Sequence, residues 1–101
     1  MTPVAMTRVD ELREFEACAR RVNHADEAQF REFVRNARLV LEMAESDIAD
    51  ALSVSRPTYN RWINGRNMPH PLMRQSIVDR ITKLVQARVR VVTSNSRSGS
   101  S

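Results

Sequence analysis

Glycine, proline and aromatic residues are scarce in this chain of 101 residues, which holds two glycines and four prolines and is 5% aromatic. Gly65 and Gly99 lie far apart in the sequence, so there is no glycine-rich loop of the kind that cradles phosphate groups in nucleotide-binding enzymes. Hydrophobic residues make up 42% of the chain, enough at this length for one domain with a modest core. The composition is that of a soluble helical protein.

Cysteine is limited to Cys18, so no intrachain disulfide can form. Cys18, His24 and His70 do not fall at any familiar spacing of metal ligands. The scattered carboxylates form no recognisable pair of nucleophile and base. We therefore expect no enzymatic activity, no metal and no cofactor, and we expect Cys18 to be a partly buried residue of a helix.

Long apolar runs are also lacking. No segment approaches the length needed to cross a bilayer, and the first residues do not form the hydrophobic stretch of a secretory signal. We expect a cytoplasmic protein that makes no membrane contact.

Charge, by contrast, is abundant and unevenly distributed. Residues 1–45 hold seven Arg against nine Asp and Glu, a net charge of −2, whereas residues 46–101 hold nine Lys and Arg against three Asp, a net charge of +6. Contacts with nucleic-acid phosphates require positive charge of this kind. The alternative is that the arginines only solvate a helical surface.

Residues 46–71, SDIADALSVSRPTYNRWINGRNMPHP, have the pattern of two short helices separated by a tight turn. Ile48, Ala49 and Leu52 form the apolar stripe of the first helix. Ser46 precedes this stripe and suits an N-cap. The pattern breaks at Ser53, where we expect the turn.

The second helix of this motif begins after Ser55, a good N-cap, with Pro57 tolerated in the first turn. Tyr59, Trp62 and Ile63 recur at helical spacing, and we expect them to pack this helix on the first. The remaining polar side chains can then hydrogen-bond base edges or phosphates: Arg56, Thr58, Asn60 and Arg61.

This motif resembles the helix-turn-helix of the Cro and C1-repressor type, the XRE family of bacterial and phage transcriptional regulators. The residues that carry the resemblance are Ala49, its apolar neighbours Ile48, Leu52 and Val54, the capped helix from Ser55, and the closing Asn64-Gly65-Arg66 with prolines after it. Ser53 departs from the pattern, because the family usually has glycine in the left-handed turn position.

The resemblance implies an all-α, compact five-helix domain of the lambda-repressor-like DNA-binding type, here with an extra N-terminal helix and a long C-terminal helix. It implies that the recognition helix, residues 55–64, lies in the major groove of double-stranded DNA.

The family's base-reading positions match Arg56, Pro57 and Arg61, to which we add Thr58 and Asn60. Arginine suits guanine because its planar fork matches two acceptors on the major-groove edge. Pro57 replaces the usual polar residue and can offer only apolar contact. Candidates for phosphate contact are Ser46, Ser55, Tyr59, Asn64, Arg66, Asn67 and His70.

Three further helices are predicted around the motif, which occupies residues 46–64. Apolar spacing predicts helices over about 9–22 and 26–43, and Pro71 suits the first turn of a last helix over about 71–91. We expect residues 1–7 to be unstructured and the Ser-rich tail, 93–101, to be disordered, so that the domain comprises residues 1–92.

The last helix carries two apolar stripes about 90° apart. One, expected in the core, consists of Met73, Ile77, Ile81 and Leu84. The other could pack on the N-terminal helix of the same chain or form a dimer interface, and consists of Val78, Val85, Val89 and Val92. A two-fold homodimer would present two recognition helices to an inverted repeat.

Together these features predict a sequence-specific DNA-binding transcriptional regulator, a repressor by family analogy, that binds its operator as a homodimer. One alternative is an antitoxin-like autoregulator that also binds a partner protein through the N-terminal helix or the second stripe. Another is an activator that contacts RNA polymerase through the acidic N-terminal half.

Overall fold

The protein is all-helical in the residues that the computed structural model describes, 4–98, and contains no strand there. Five helices follow one another along the chain: α1 (Val4–Arg21), α2 (Glu27–Leu41), α3 (Glu45–Ala51), α4 (Arg56–Ile63) and α5 (Pro71–Ser98). None of these helices is long and apolar enough to cross a membrane.

The predicted order of helices is confirmed, although some ends differ. α2 lies within the predicted range and is capped by Asp26, whose carboxylate accepts a hydrogen bond from the Gln29 amide. α1 begins at Val4, before the predicted residue 9, so residues 4–7 are helical rather than unstructured. The rest of the segment predicted to be unstructured, residues 1–3, lies outside the described residues.

The predicted end of α5 was wrong. The helix continues to Ser98, so residues 93–98 are helical and not the disordered tail that their serines suggested; residues 99–101 lie outside the described part. No glycine or proline follows Pro71 until Gly99. This stretch therefore contains no residue that strongly breaks a helix. Val89 and Val92 also pack on the core and hold the second half of α5 in place.

The core lies where α1, α2 and α5 meet, with α4 packed against α2. Phe15 of α1 stacks on Phe33 of α2, with ring centroids 4.8 Å apart. Trp62 of α4 meets the edge of Phe30 of α2 at 6.4 Å. These pairs bury large aromatic surfaces and fix α2 as the central helix of the domain.

The two stripes of α5 are both used within one chain. Val78 and Val85 are 6% and 0% exposed, so they are not available to a second subunit, and their assignment to a dimer interface was wrong. Val89 and Val92 are partly buried against the same core. The reason is that α5 packs most extensively on α1, which leaves no free face between them. Met73, expected in the core, is instead 53% exposed.

Candidate nucleic-acid interface

The turn between α3 and α4 is closed by two backbone hydrogen bonds. The amide of Val54 donates to the carbonyl of Ala49 at 2.9 Å, and the amide of Ser53 donates to Asp50 at 3.0 Å. Ser53 has a φ of 61°, the left-handed conformation expected at this turn position. This hydrogen-bond pattern is the Schellman motif, which commonly ends a helix at a glycine. Serine here supplies the same turn at some cost in strain.

The start of α3 differs from the prediction. Ala44 has the extended N-cap conformation, and no side chain caps the helix. Ser46 consequently lies inside the first turn and is exposed, so its assignment as N-cap was wrong. Glu45 begins the helix instead, because a carboxylate in the first turn interacts favourably with the helix dipole. The phosphate contact predicted for Ser46 stays a prediction.

The start of α4 agrees with the prediction. The hydroxyl of Ser55 accepts a hydrogen bond from the amide of Thr58 at 3.2 Å, which confirms Ser55 as the N-cap. The hydroxyls of these two residues also hydrogen-bond each other at 2.8 Å, and Thr58 is half-buried. The Thr58 hydroxyl is therefore already engaged at the helix start, where it supports the cap. Pro57 lies exposed in the first turn.

α4 has one buried and one exposed face. Tyr59 and Trp62 are buried against α2 and α3, which confirms Trp62 as a core residue. Arg56 and Arg61 are both exposed. Within the described residues neither arginine forms an ion pair or a side-chain hydrogen bond. Their guanidinium groups are therefore free donors on the exposed face.

Asn60 also lies on the exposed face, but its amide group is held by the protein. Its Nδ2 donates to Glu45 Oε1 at 3.3 Å, and its Oδ1 accepts from Asn64 Nδ2 at 3.0 Å. The contact with Glu45 joins the exposed face of α4 to the first residue of α3. Asn60 is thus more fixed in position than the two arginines, with one N–H of its amide left for an outside partner.

Tyr59 was wrongly predicted to contact phosphate. Its side chain is fully buried, and its hydroxyl donates a hydrogen bond to the carbonyl of Val34 at 3.0 Å. Burial raises the pKa of Tyr59 to about 12. The arginines Arg35 and Arg38 nearby act in the opposite direction but do not outweigh burial. The hydroxyl is a structural donor that joins α4 to α2.

The segment after α4 brings further polar side chains to the surface. Gly65 ends the helix with a φ of 76°, and Arg66 and Asn67 follow it, both exposed. His70 is exposed and caps α5, because its Nδ1 accepts a hydrogen bond from the amide of Leu72 at 3.2 Å. Only Nε2 of His70 is left to face outward.

Two arginines that support this region were missed by sequence reasoning. Arg35 of α2 donates to the carbonyl of Ile63, at the end of α4, at 2.8 Å. Arg74 of α5 is only 6% exposed, and its guanidinium donates to the carbonyls of Pro69, His24 and Ala25 at 2.8, 3.2 and 3.0 Å. The sequence did hold a signal for Arg74, since this residue falls on the same helical stripe as Ile77, Val78 and Ile81.

The remaining candidate chemistry is sparse. Cys18, expected to be partly buried, is exposed on α1. In the part of the chain that the structure describes, no group of three or more His, Cys, Asp or Glu side chains could hold a metal ion.

No family model, no curated protein and no solved structure matches this chain.

Proposed function

We propose that this chain is a sequence-specific double-stranded DNA-binding transcriptional regulator with a fold of the lambda-repressor-like type. In this proposal α4 enters the major groove and α3 lies across the DNA backbone. The proposal rests on the motif of two short helices around a left-handed turn, together with the resemblance in its sequence.

The observation that carries the proposal is the exposed face of α4. Arg56 and Arg61 lie on this face without partners in the described chain, while the opposite face is fixed in the core by Tyr59 and Trp62. The two arginines are five residues apart, which is about 7.5 Å along a helix axis, or roughly two base-pair steps. We propose that both read guanine bases and that Pro57 and Asn60 make secondary base contacts.

Phosphate contacts are proposed around this face. The exposed residues Arg66, Asn67 and His70 follow α4, and Ser46 and Ser55 lie in or before the first turns of α3 and α4. Asn64 is exposed at the end of α4. The net charge of +6 over residues 46–101 supports electrostatic attraction of DNA to the half of the chain that contains the motif.

We further propose that two copies bind an inverted repeat. α4 has eight residues and can contact only a few base pairs, too few for a selective site by itself. A two-fold pair would place two α4 helices about 34 Å apart, one turn of DNA. Repression through occlusion of a promoter is proposed from the family resemblance.

The proposal is tested by selecting bound duplexes from random DNA and measuring affinity for the enriched sequence. We expect an enriched inverted repeat with guanine in each half-site. Arg56→Ala and Arg61→Ala should each weaken binding by about 1 to 3 kcal/mol and relax selectivity at one base pair. Sedimentation of the complex should give two chains per duplex.

Two matched changes separate base contacts from charge alone. Arg66→Ala should weaken binding to all sequences equally and reduce the salt dependence by about one unit of slope. Arg13→Ala removes one exposed positive charge from α1, a helix that packs mainly on α5 and α2, and should change affinity little. If no duplex is enriched, or if Arg13→Ala weakens binding as much as Arg56→Ala, the proposal is wrong.

A further inference from the structure

A groove of about 230 Å³ lies between the α3–α4 turn and the first half of α5. Its floor consists of Leu52, Trp62 and Ile77, all buried. Ser53, Ser76 and Arg80 are exposed and line its polar rim. The groove thus places an apolar floor beside two hydroxyl groups and one cation, which is the usual composition of a small-molecule site.

The guanidinium of Arg80, at the rim of the groove, has hydrogen-bond donors that are not used within the protein. Arg80 donates one hydrogen bond, from Nη1 to the hydroxyl of Ser53 at 2.8 Å. No carboxylate pairs with Arg80 in the described part of the chain, although other arginines such as Arg35 and Arg74 do form ion pairs. A guanidinium carries five N–H donors, so four remain for an incoming group.

We propose that this groove binds a small organic carboxylate with an apolar tail. The planar fork of Arg80 matches the two oxygens of a carboxylate, and the Ser76 hydroxyl can add a hydrogen bond. The apolar tail would cover Trp62 and Ile77, and it would also contact Met73, a methionine on the lip of the groove that is 53% exposed. A phosphate is disfavoured because it carries more negative charge than a carboxylate. The groove has only one cation to balance that charge, beside an apolar floor.

The site also touches the turn that orients α4. Ser53 is the left-handed residue of that turn and the present partner of Arg80. A carboxylate on Arg80 would compete with the Ser53 hydroxyl or bridge to it. A resulting effect on DNA affinity rests on the proposed function, whereas binding of the carboxylate does not.

The test uses the full chain without DNA, titrated with hexanoate and with 3-phenylpropionate. Trp62 is the only tryptophan, so its fluorescence reports directly on the groove, and amide NMR shifts locate the site. We expect saturable binding with a Kd of about 1 mM or tighter and shifts centred on Ser53, Trp62, Ser76 and Arg80. The uncharged 3-phenylpropionamide should bind at least about tenfold more weakly.

Variants give an independent measure. Arg80→Gln should weaken carboxylate binding about tenfold or more while binding of the amide is unchanged. Lys83→Gln removes one exposed positive charge from the same helix without touching the groove and should leave binding unchanged.

Three results would overturn the site. The first is that neither acid saturates the protein by about 10 mM. The second is that the amide binds as well as the acid, and the third is that the NMR shifts lie away from the groove. The comparison of acid with amide uses the unchanged protein, so it holds even if a variant misfolds. If Arg80→Gln weakens DNA binding while neither acid binds, Arg80 is a phosphate contact. Carboxylate binding without any DNA binding would instead refute only the proposed function.

Discussion

The Tyr59 hydroxyl lies inside the protein, where it donates to the carbonyl of Val34 and links α4 to α2. A tyrosine in a polar, basic segment is equally suited to a phosphate contact. The sequence pattern does not distinguish a hydroxyl that contacts phosphate from one that makes a buried hydrogen bond. Helical spacing places Tyr59 beside Trp62 on the inner face, but the hydrogen-bond partner of its hydroxyl is a residue 25 positions away. Only the packing of α4 on α2 settles it.

Tyr59→Phe removes this buried hydrogen bond and should lower the free energy of unfolding by about 1 kcal/mol at pH 7. The wild-type protein should lose further stability as the pH rises from about 10 towards 12. The reason is that the pKa of Tyr59 is raised from 10.0 to about 12 by burial, so above pH 10 the unfolded chain gives up this proton more readily than the folded one. Urea unfolding across this pH range measures both effects.

Tyr59→Phe serves as its own control at high pH, because it cannot lose that proton. The difference in stability between the two proteins should therefore shrink above pH 10. An equal loss in both proteins would show that other groups cause the alkaline unfolding.

Among the secondary-structure elements, the starts and turns were largely predictable because they depend on local chemistry. Asp26 and Ser55 cap α2 and α4 as short polar side chains do, and Ser53 adopts the left-handed turn conformation. The start of α3 was missed by two residues, because the N-cap is Ala44, which makes no side-chain hydrogen bond, and not Ser46. The end of α5 was missed because the serines after Val92 do not end the helix. Val92 packs on the core and stabilises the end of α5 more than these serines destabilise it.

Contacts between elements were harder to predict, and Arg74 is the clearest case. Its buried guanidinium joins the start of α5 to the α1–α2 connection through the carbonyls of His24 and Ala25, which are about 50 residues away in the chain. It also lies over the Phe30 ring, with Cζ 5.9 Å from the ring centroid. No local pattern names these partners.

Arg74→Met keeps much of the side-chain volume but leaves three carbonyls, one in a buried contact and two in partly buried contacts, without this donor. We expect the free energy of unfolding to fall by about 2 to 4 kcal/mol, measured by urea denaturation.

The matched control for Arg74 is Glu27→Gln. Glu27 lies 3.8 Å from the Arg74 guanidinium, but its side chain is 68% exposed, so the ion pair should contribute less than about 1 kcal/mol. A loss with Glu27→Gln as large as with Arg74→Met would mean that the ion pair, and not the carbonyl contacts, stabilises this corner.

For the whole molecule, the important distinction is between residues buried within one chain and residues buried in an interface between two chains. Val85 lies on the α5 stripe considered for a dimer, yet it is fully buried in a single chain. Val91 on the same helix is 53% exposed. Any second subunit must therefore bind elsewhere than at Val78 and Val85.

Val85→Ala should lower the free energy of unfolding by roughly 2 kcal/mol, because it opens a cavity in the monomer core. The loss should be the same at all protein concentrations. Val91→Ala, at an exposed position on the same helix, should change stability by less than about 0.5 kcal/mol. Unfolding measured over a wide range of concentrations checks this, and a loss for Val85→Ala that grows on dilution would restore the dimer assignment.

The amino-acid sequence by itself determined the local features of this protein: five helices in order, the N-cap at Ser55, the turn at Ser53 and the exposed arginines of α4. Helical periodicity, capping and backbone preference act within a few residues, so a linear pattern contains them. The resemblance to Cro and C1 repressors was read from the same pattern, and DNA binding stays a proposal.

Only the tertiary structure decided which groups those features meet. It assigned both stripes of α5 to one chain, placed the Tyr59 hydroxyl in the core and held Asn60 against Glu45. It also formed the groove between Trp62 and Arg80 beside the turn. Each of these contacts joins residues that are far apart in the chain, and their partners are set by how whole helices pack. The segment after Ser46 therefore supplies the candidate recognition face, while the packing around it fixes which of its side chains are free to act.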